Sequence, residues 1–242
     1  MKYNTRFNPT ISGPLHIGHL YMVLVNAAEA HRTGGKFTIR IDDTQPYWNH
    51  WIKEDQRNKY YEDYQKQLNQ FVEVDVWHRQ SQILTPEEIL GEHPLLKKYL
   101  RFCWMDTSNV EWRTVINQKI LPYCPNHTLE KVVWDFWEDV NLLIRGDDLI
   151  TESSLYAHFL DELGLPRIHQ IYLSRLVAQD QQDKIIGTVS KTDRVYSLET
   201  QMKEFGIEGT LQYMRDSCLV DVKGEFLVDN IKPIPIAQGF KE

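Results

Sequence analysis

The spacing of hydrophobic and polar residues predicts a strand, a helix and a second strand at the start of the chain. Residues 2–8 are compatible with a short strand, and residues 17–32 carry apolar residues at the three- and four-residue spacing of one buried helical stripe. That stripe consists of Leu20, Val23, Leu24, Ala27 and Ala28. From Phe37 to Ile41, apolar and polar residues alternate, as in a half-buried strand. A strand, a helix and a strand in this order predict a βαβ unit with parallel strands.

Further elements are predicted downstream with less regular spacing. The pattern indicates a helix over about 51–71 followed by a strand over 72–76, a helix over 155–163 ended by Gly164, a strand over 168–173, and a short helix over 209–215. The segment 82–130 contains four prolines and is interpreted as a mainly helical insertion. The expected fold class is therefore α/β, a Rossmann-like parallel sheet with helices on both faces, interrupted by this insertion.

Composition adds that the chain is an ordinary globular protein. Its 242 residues are 42% hydrophobic and 25% charged, with a net charge of −7. No apolar run approaches the roughly 18 residues of a membrane span, and the N-terminus lacks the apolar core of a secretory signal. The three cysteines are widely spaced and odd in number, which favours reduced thiols. These features predict a cytoplasmic protein without a membrane partner.

The most informative tetrapeptide is His-Ile-Gly-His at 16–19, where the first strand passes into the first helix. Backbone N–H groups at a helix N-terminus carry partial positive charge and bind polyphosphate readily. His16 and His19 lie three residues apart on one face of the first turn and can add hydrogen bonds to the same phosphates. Gly18 leaves room for a flat base beside the backbone. The alternative is that both histidines are ordinary surface residues, and the context of the motif decides between the two.

Four ordered segments resemble the catalytic core of glutamyl- and glutaminyl-tRNA synthetases, a class I family. Residues 5–19 read TRFNPTISGPLHIGH, and residues 35–44 read GKFTIRIDDT, close to the family's Arg-Phe-x-Pro-x-x-x-Gly-x-Leu-His-Ile-Gly and Arg-Ile-Glu-Asp-Thr. Residues 144–148, IRGDD, resemble its Arg-Gly-Asp-Asp segment. Residues 188–192, TVSKT, resemble its second signature, Lys-Met-Ser-Lys-Ser. The resemblance spans most of the chain.

The resemblance implies activation of an amino acid by ATP in protein biosynthesis. In the family, the amino acid carboxylate attacks the α-phosphate to give an aminoacyl-adenylate and pyrophosphate, and a tRNA end then takes the aminoacyl group. By this correspondence His16, His19 and Lys191 are the expected catalytic residues, and Gly18, Thr188 and Ser190 the expected ATP contacts. Thr188 replaces the first lysine of the family signature, so part of the expected positive charge is missing.

The resemblance also implies an amino acid pocket that suits glutamate. The expected ligands of the amino acid are Arg6, Thr10, Ser12, Asp42 and Arg145. The two arginines suit a side-chain carboxylate through bidentate hydrogen bonds, and Asp42, at a family glutamate position, would hold the α-ammonium. An ion pair of Arg145 with Asp147 or Asp148 is the structural alternative. The family's tyrosine and asparagine before Val132 are absent, because residues 127–131 read HTLEK, and glutamine stays open as a substrate.

The expected domain plan is a catalytic domain over 1–195, interrupted at about 82–130, and a short helical segment over 196–242 without an anticodon-binding domain. ATP with Mg²⁺ is the expected cofactor pair, the metal bridging phosphates rather than sitting in a protein cage. No structural zinc is expected, because Cys103 and Cys124 stand far apart. The expected partners are glutamate, or glutamine, and the acceptor end of a tRNA.

Several alternatives remain open at this stage. The acceptor of the activated amino acid can be a tRNA end, a modified tRNA base, a small molecule or a carrier protein. A nucleotidyltransferase of the wider superfamily with the His-x-Gly-His signature is disfavoured by residues 40–44 and by the long insertion. A non-catalytic paralogue that binds tRNA or an amino acid is favoured by Thr188 and disfavoured by the presence of both histidines and Lys191.

Overall fold

The computed structural model describes most of the chain as two compact units. The described residues are 1–43, 53–96, 125–173, 176–179, 185–188 and 197–218. The first unit comprises residues 1–83, 142–147 and the chain from 170 onward, and the second comprises 84–141 and 148–169. The expected catalytic motifs of residues 5–42 and Arg145 lie in the first unit.

The first unit is built on a parallel three-stranded sheet. Its elements are β1 (Thr5–Phe7), α1 (Ile17–Arg32), β2 (Phe37–Ile41), α2 (Glu54–Leu68) and β3 (Val76–Arg79). The strand order is β1-β2-β3, and both neighbouring pairs are parallel, with Thr5 opposite Phe37 and Thr38 opposite Val76. A helix therefore connects each pair of consecutive parallel strands, as expected for βαβ units. The predicted α/β architecture is confirmed.

Helix α1 has the predicted limits and buries the predicted stripe. Leu20, Val23, Leu24 and Ala27 are at most 2% exposed and belong to the core of this unit. Asn26 is also fully buried, and its side-chain Nδ2 donates to the backbone carbonyl of Ile144 at 3.1 Å. The backbone carbonyl of Asn26 accepts the hydroxyl of Thr5 at 2.8 Å. These bonds tie α1 to β1 and to the strand Leu142–Gly146, which belongs to a second, two-stranded sheet.

Two predictions about the sheet were wrong. Strand β2 is fully buried rather than half-buried, because Thr38 and Arg40 are only 6% and 0% exposed. The guanidinium of Arg40 is accommodated there by the amide oxygen of Asn8, 3.4 Å away. The strand predicted over 72–76 begins only at Val76. Residues 69–71 still form a turn at the end of α2, and pairing with β2 starts where the Asp75 N–H donates to the Phe37 carbonyl at 3.1 Å.

The remaining elements of the first unit follow in the second half of the chain. They are β4 (Leu142–Gly146), β5 (His169–Leu173), β6 (Val177–Gln179), β7 (Ile185–Thr188) and α6 (Leu198–Cys218), of which β4 pairs with β5 and β6 is antiparallel to β7. The Leu142 N–H donates to the Asn4 carbonyl at 3.3 Å, which places β4 beside β1. Within α6 two helical segments meet at Gly206, whose φ of 69° is not helical. The helix predicted over 209–215 lies within the second segment, which begins before and ends after it.

The second unit is helical where it is described. It contains α3 (Pro86–Leu90), α4 (Pro125–Trp137) and α5 (Ile150–Glu162). Helix α5 begins five residues before the predicted 155, and Gly164 follows its end with φ 65°, as predicted. The proposed limits of the insertion, about 82–130, remain a prediction, because 97–124 lie outside the described residues. Across the described residues, every helix is too short or too polar to cross a membrane.

Candidate active site

His16 and His19 form the first turn of α1 in a reciprocal arrangement. His16 caps the helix in an extended conformation, and its Nδ1 accepts the backbone N–H of Gly18 at 3.1 Å. The Nδ1 of His19 accepts the backbone N–H of His16 at 3.2 Å. The two rings lie with their centroids 3.8 Å apart. This is a capping box in which imidazoles take the places of the usual hydroxyl and carboxylate.

These two bonds fix where the imidazole protons lie. A ring nitrogen that accepts an N–H uses its lone pair and carries no proton, so both Nδ1 atoms are unprotonated. Each neutral ring therefore holds its proton at Nε2, and that N–H is a hydrogen-bond donor. The sequence predicted two phosphate-binding imidazoles here, and the structure gives each a donor N–H at the N-terminus of α1, where the helix dipole favours an anion.

Gly18 is required by the cap itself. A Cβ at this position would lie 2.8 Å from Cε1 and 2.9 Å from Nδ1 of His16. Both distances are shorter than real Cβ contacts, so any side chain here would displace the His16 ring. The predicted role of Gly18 was space for a base, and the geometry adds that it leaves space for the capping imidazole.

The turn before His16 is held from two sides. The hydroxyl of Tyr64, which is 1% exposed, donates to the carbonyl of Gly13 at 2.7 Å. Burial raises the pKa of this phenol, so it stays protonated and remains a donor. From the other side, the Leu198 N–H at the start of α6 donates to the carbonyl of Leu15 at 2.9 Å.

Thr10 and Asp42 lie together just beyond the carboxyl ends of β1 and β2, and Arg6 belongs to β1 itself. Arg6 is a residue of β1 and is 6% exposed, and Thr10 and Asp42 form an isolated parallel bridge just beyond the strands. The hydroxyl of Thr10 donates to Oδ2 of Asp42 at 3.4 Å. Ser12 lies half-buried in the turn that follows. Ligands bind at this edge in open α/β sheets, so the predicted amino acid ligands occupy a suitable place.

Arg145 projects from β4 and is 2% exposed. Its guanidinium donates to Oε1 of Gln170 at 2.6 Å and lies 5.7 Å from the centroid of the Tyr172 ring. The hydroxyl of Tyr172 donates to the same Gln170 oxygen at 2.6 Å. Gln170 therefore links Arg145 on β4 to Tyr172 on β5, and its neutral amide orients the guanidinium.

The second signature is only partly described. Thr188 is the last residue of β7, for which the backbone is described, while Ser190 and Lys191 lie outside the described residues.

In the second unit, Thr128 and Lys131 contact the fully buried Glu152, with Thr128 Oγ1 and Lys131 Nζ at 2.9 and 3.4 Å from its Oε1. Among the described residues, no three His, Cys, Asp or Glu side chains converge as metal ligands.

Sequence reasoning missed Asn8 and Gln80. Gln80 is 2% exposed and follows β3 directly, and its Nε2 donates to Oδ1 of Asp42 at 3.4 Å. Asn8 donates to Gln80 Oε1 at 2.8 Å. A polar residue at the carboxyl end of a parallel strand is a recognisable signal, but the strand was expected over 72–76, which placed Gln80 well beyond its end.

Comparison with known proteins finds a family match over the first third of the chain. Residues 2–82 match the family model for the catalytic domain of class I tRNA synthetases (E and Q). A 41-residue segment is 51% identical to a glutamyl-Q tRNA(Asp) synthetase from Methylococcus capsulatus, and one of equal length is 54% identical to a glutamate–tRNA ligase from Methanobrevibacter smithii. The resemblance seen in the sequence is therefore confirmed over this part of the chain.

Solved structures support the fold over a longer stretch. A glutamate-tRNA synthetase from Elizabethkingia anophelis superposes on 85% of the chain with a TM-score of 0.53 and 17% identity, and a tyrosyl-tRNA synthetase from Aeropyrum pernix on 87% with 0.57 and 14%. At these identities the likeness shows the fold alone, which is the Rossmann-like α/β fold of class I synthetases.

The matches cover only part of the known proteins. The segments aligned with the two sequence relatives span 17% of this chain and 14% and 7% of the relatives, and the chain spans 54% of the Elizabethkingia anophelis structure. The activity of those whole proteins is therefore carried to this chain only as a proposal.

Proposed function

We propose that this protein activates glutamate with ATP and transfers the activated amino acid to an acceptor, which we expect to be tRNA. The observation that carries the proposal is the first turn of α1, where Nδ1 of His16 and Nδ1 of His19 each accept a backbone N–H, which assigns the proton of each neutral ring to Nε2. An arrangement of this kind at a helix N-terminus suits a polyphosphate.

The chemistry requires positioning more than covalent participation by the protein. An oxygen of the amino acid carboxylate forms a bond to the α-phosphorus of ATP, and the bond from that phosphorus to the pyrophosphate oxygen breaks. The Nε2 donors of His16 and His19, with Lys191 from the second signature, would stabilise the charge that builds up on the phosphates. Mg²⁺ would travel with ATP as a bridge between phosphate oxygens, to which its oxygen-ligand chemistry is suited.

The amino acid would be held by groups of opposite charge. Asp42 is 2% exposed and suits the α-ammonium, while Arg6 and Arg145, 6% and 2% exposed, suit a carboxylate side chain. Two buried guanidiniums favour glutamate over glutamine, because an amide brings no charge to offset them. Thr10 and Ser12 would add neutral hydrogen bonds. Thr188 lowers the expected rate relative to enzymes with a lysine there, since one positive charge is missing.

In the second step, a hydroxyl of the acceptor attacks the carbonyl carbon of the aminoacyl-adenylate, and AMP leaves. The names of the relatives, a glutamate–tRNA ligase and a glutamyl-Q tRNA(Asp) synthetase, support a tRNA acceptor without choosing between its end and a modified base. Removal of the 3′-terminal adenosine from the tRNA separates these two. Transfer that survives this removal identifies an internal acceptor, and transfer that is lost identifies the tRNA end.

The deciding experiment is ATP–pyrophosphate exchange with the purified full chain. Glutamate, glutamine and aspartate are compared, each with and without total tRNA. We expect exchange with glutamate, lowered by about two orders of magnitude or more in His16→Ala, because a donor to the developing charge is lost. A folded wild-type protein that is as silent as His16→Ala under every condition overturns the enzymatic proposal and leaves a non-catalytic protein that binds tRNA or an amino acid.

A further inference from the structure

A continuous chain of hydrogen bonds runs from the backbone of β2 to the carboxylate of Asp42 through two side-chain amides. The Nδ2 of Asn8 donates to the carbonyl of Arg40 at 2.6 Å and to Oε1 of Gln80 at 2.8 Å. The Nε2 of Gln80 then donates to Oδ1 of Asp42 at 3.4 Å. Gln80 and Asp42 are each 2% exposed, so these bonds are shielded from water.

The direction of each amide follows from the two ends of this chain. The Arg40 carbonyl can only accept, so the Asn8 atom beside it is the NH₂ group. That same NH₂ faces Gln80, so Gln80 presents its oxygen to Asn8 and its NH₂ to Asp42. The carboxylate of Asp42 is an acceptor when ionised, which agrees with the donor it receives. One orientation of both amides therefore satisfies all of the contacts.

We infer that Gln80 is a positioning residue that orients the Asp42 carboxylate to receive the α-ammonium of the amino acid substrate. The inference rests on the proposed function, in which Asp42 binds that ammonium. Gln80 donates to Oδ1 and Thr10 donates to Oδ2, so each carboxylate oxygen receives a neutral donor that helps to fix its direction. A cationic donor in place of Gln80 would compensate the charge meant for the substrate.

A purely structural role for Gln80 makes different predictions. A buried amide that only completes the hydrogen bonds of this edge would change stability and alter the binding of ATP and amino acid together. A positioning role at the ammonium changes the binding of glutamate and leaves ATP largely unaffected. It also leaves the binding of glutarate unchanged, because glutarate has the two carboxylates of glutamate but lacks its ammonium.

The first test is Gln80→Met, which keeps the length of the side chain and removes both of its polar groups. The matched control is Gln82→Met, the same change at an exposed position of the same short turn. In ATP–pyrophosphate exchange, we expect Gln80→Met to raise the KM for glutamate about tenfold or more, from the loss of a hydrogen bond to a charged group, with the KM for ATP changed less than about twofold. Inhibition by glutarate should stay constant.

The second test leaves Gln80 in place and reverses its amide. In Asn8→Asp, the donor facing Gln80 becomes an acceptor, so Gln80 should turn its NH₂ toward residue 8 and its oxygen toward Asp42. The KM for glutamate should then rise as in Gln80→Met. In the double variant Asn8→Asp with Gln80→Met, the KM for glutamate should be at most about twofold higher than in Gln80→Met alone. The effects of substitutions within one chain of hydrogen bonds are not additive.

The outcomes separate the two proposals. If wild-type protein exchanges and Gln80→Met raises both KM values equally, or changes neither, Gln80 is not a positioning residue for the ammonium. If wild-type protein does not exchange, the proposed function fails, and glutamate binding is measured by calorimetry instead. Binding that is about tenfold weaker in Gln80→Met than in Gln82→Met still supports the inference. Equal binding by the two variants, or no binding by the wild type, overturns it.

Discussion

The imidazoles of His16 and His19 hold each other's turn in place, since His19 Nδ1 accepts the His16 N–H while His16 Nδ1 accepts the N–H of Gly18. The cap and the phosphate contact therefore use different nitrogens of the same rings. An asparagine at position 16 can cap the helix with its Oδ1 but does not reach as far as an imidazole Nε2. His16→Asn should consequently separate stability from activity.

We expect the free energy of unfolding of His16→Asn to lie within about 0.5 kcal/mol of the wild-type value. That of His16→Ala should be about 1 kcal/mol lower, which is the usual cost of removing an N-cap. Both should lose exchange activity, by about two orders of magnitude, because both lack the Nε2 donor. Urea unfolding followed by circular dichroism measures the first quantity and ATP–pyrophosphate exchange the second. An active His16→Asn would mean that His16 serves only the helix.

Local patterns in the sequence predicted the parts of this site that depend on neighbouring residues. The stripe of Leu20 and Leu24 defines α1, and the motif at its start places His16 and His19 at a helix N-terminus. The choice of Nδ1 as the acceptor could not be predicted, because it depends on the rotamers of both rings. The segment of Lys191 lies outside the described residues, so its predicted role stays a prediction.

The hydrophobic pattern of the sequence could not predict contacts between residues that are far apart along the chain. Asn8 and Gln80 are 72 residues apart and meet only because β1 and β3 flank β2 in the sheet. Arg40 alternates with apolar neighbours and was therefore expected on a solvent face, whereas the sheet buries it against Asn8. Hydrophobic periodicity reports one face of one element, and it carries no information on which polar side chains find partners across a sheet.

Gly18→Ala should impair activity without unfolding the protein. The added Cβ would lie 2.8 Å from the Cε1 of His16, so the ring must move and its cap bond is lost. Alanine regains roughly 1 kcal/mol of helix propensity over glycine, which offsets a cap loss of about the same size. We expect a melting temperature close to that of wild type and exchange activity reduced about tenfold or more, since the Nε2 donor is displaced.

The control for this variant is Gly91→Ala, because an added Cβ there has open space around it. Gly91 has φ 64° and lies in the second unit, so alanine should cost stability through backbone strain and leave the KM for ATP unchanged. Full exchange activity in Gly18→Ala would show that the His16 ring does not need its present position.

Gln170→Glu should weaken the binding of glutamate more than that of glutamine. The oxygen of Gln170 accepts from Arg145 and from Tyr172, both at 2.6 Å, and a carboxylate would keep these bonds while adding a negative charge. If Arg145 binds the side chain of the substrate, that charge repels a substrate carboxylate. We expect the KM for glutamate to rise about tenfold or more and the preference for glutamate over glutamine to fall, as measured by exchange kinetics.

The folded state of Gln170→Glu should be at least as stable as wild type, because a charge-assisted bond to Arg145 replaces a neutral one. Loss of glutamate binding can then be assigned to the pocket rather than to unfolding. An unchanged preference for glutamate in a folded variant would show that Arg145 does not read the substrate side chain.

The buried pair of Lys131 and Glu152 should dominate the stability of the second unit. Their side chains are 10% and 0% exposed, the Nζ to Oε1 distance is 3.4 Å, and Thr128 donates to the same carboxylate oxygen. Removing one partner of a buried ion pair costs about 3–5 kcal/mol, because the remaining charge stays in a medium of low dielectric constant. We therefore expect Lys131→Met to lower the free energy of unfolding by that amount in urea titrations.

The exposed pair of Lys203 and Glu199 is the matched control. Its side chains are 73% and 62% exposed at a distance of 2.5 Å, and pairs four residues apart on a helix contribute only about 0.3–0.5 kcal/mol. Lys203→Met should therefore be nearly silent. The double variant Lys131→Met with Glu152→Leu should regain much of the loss, since no charge is left buried. A loss in Lys131→Met no larger than that in Lys203→Met would show that solvent reaches Glu152.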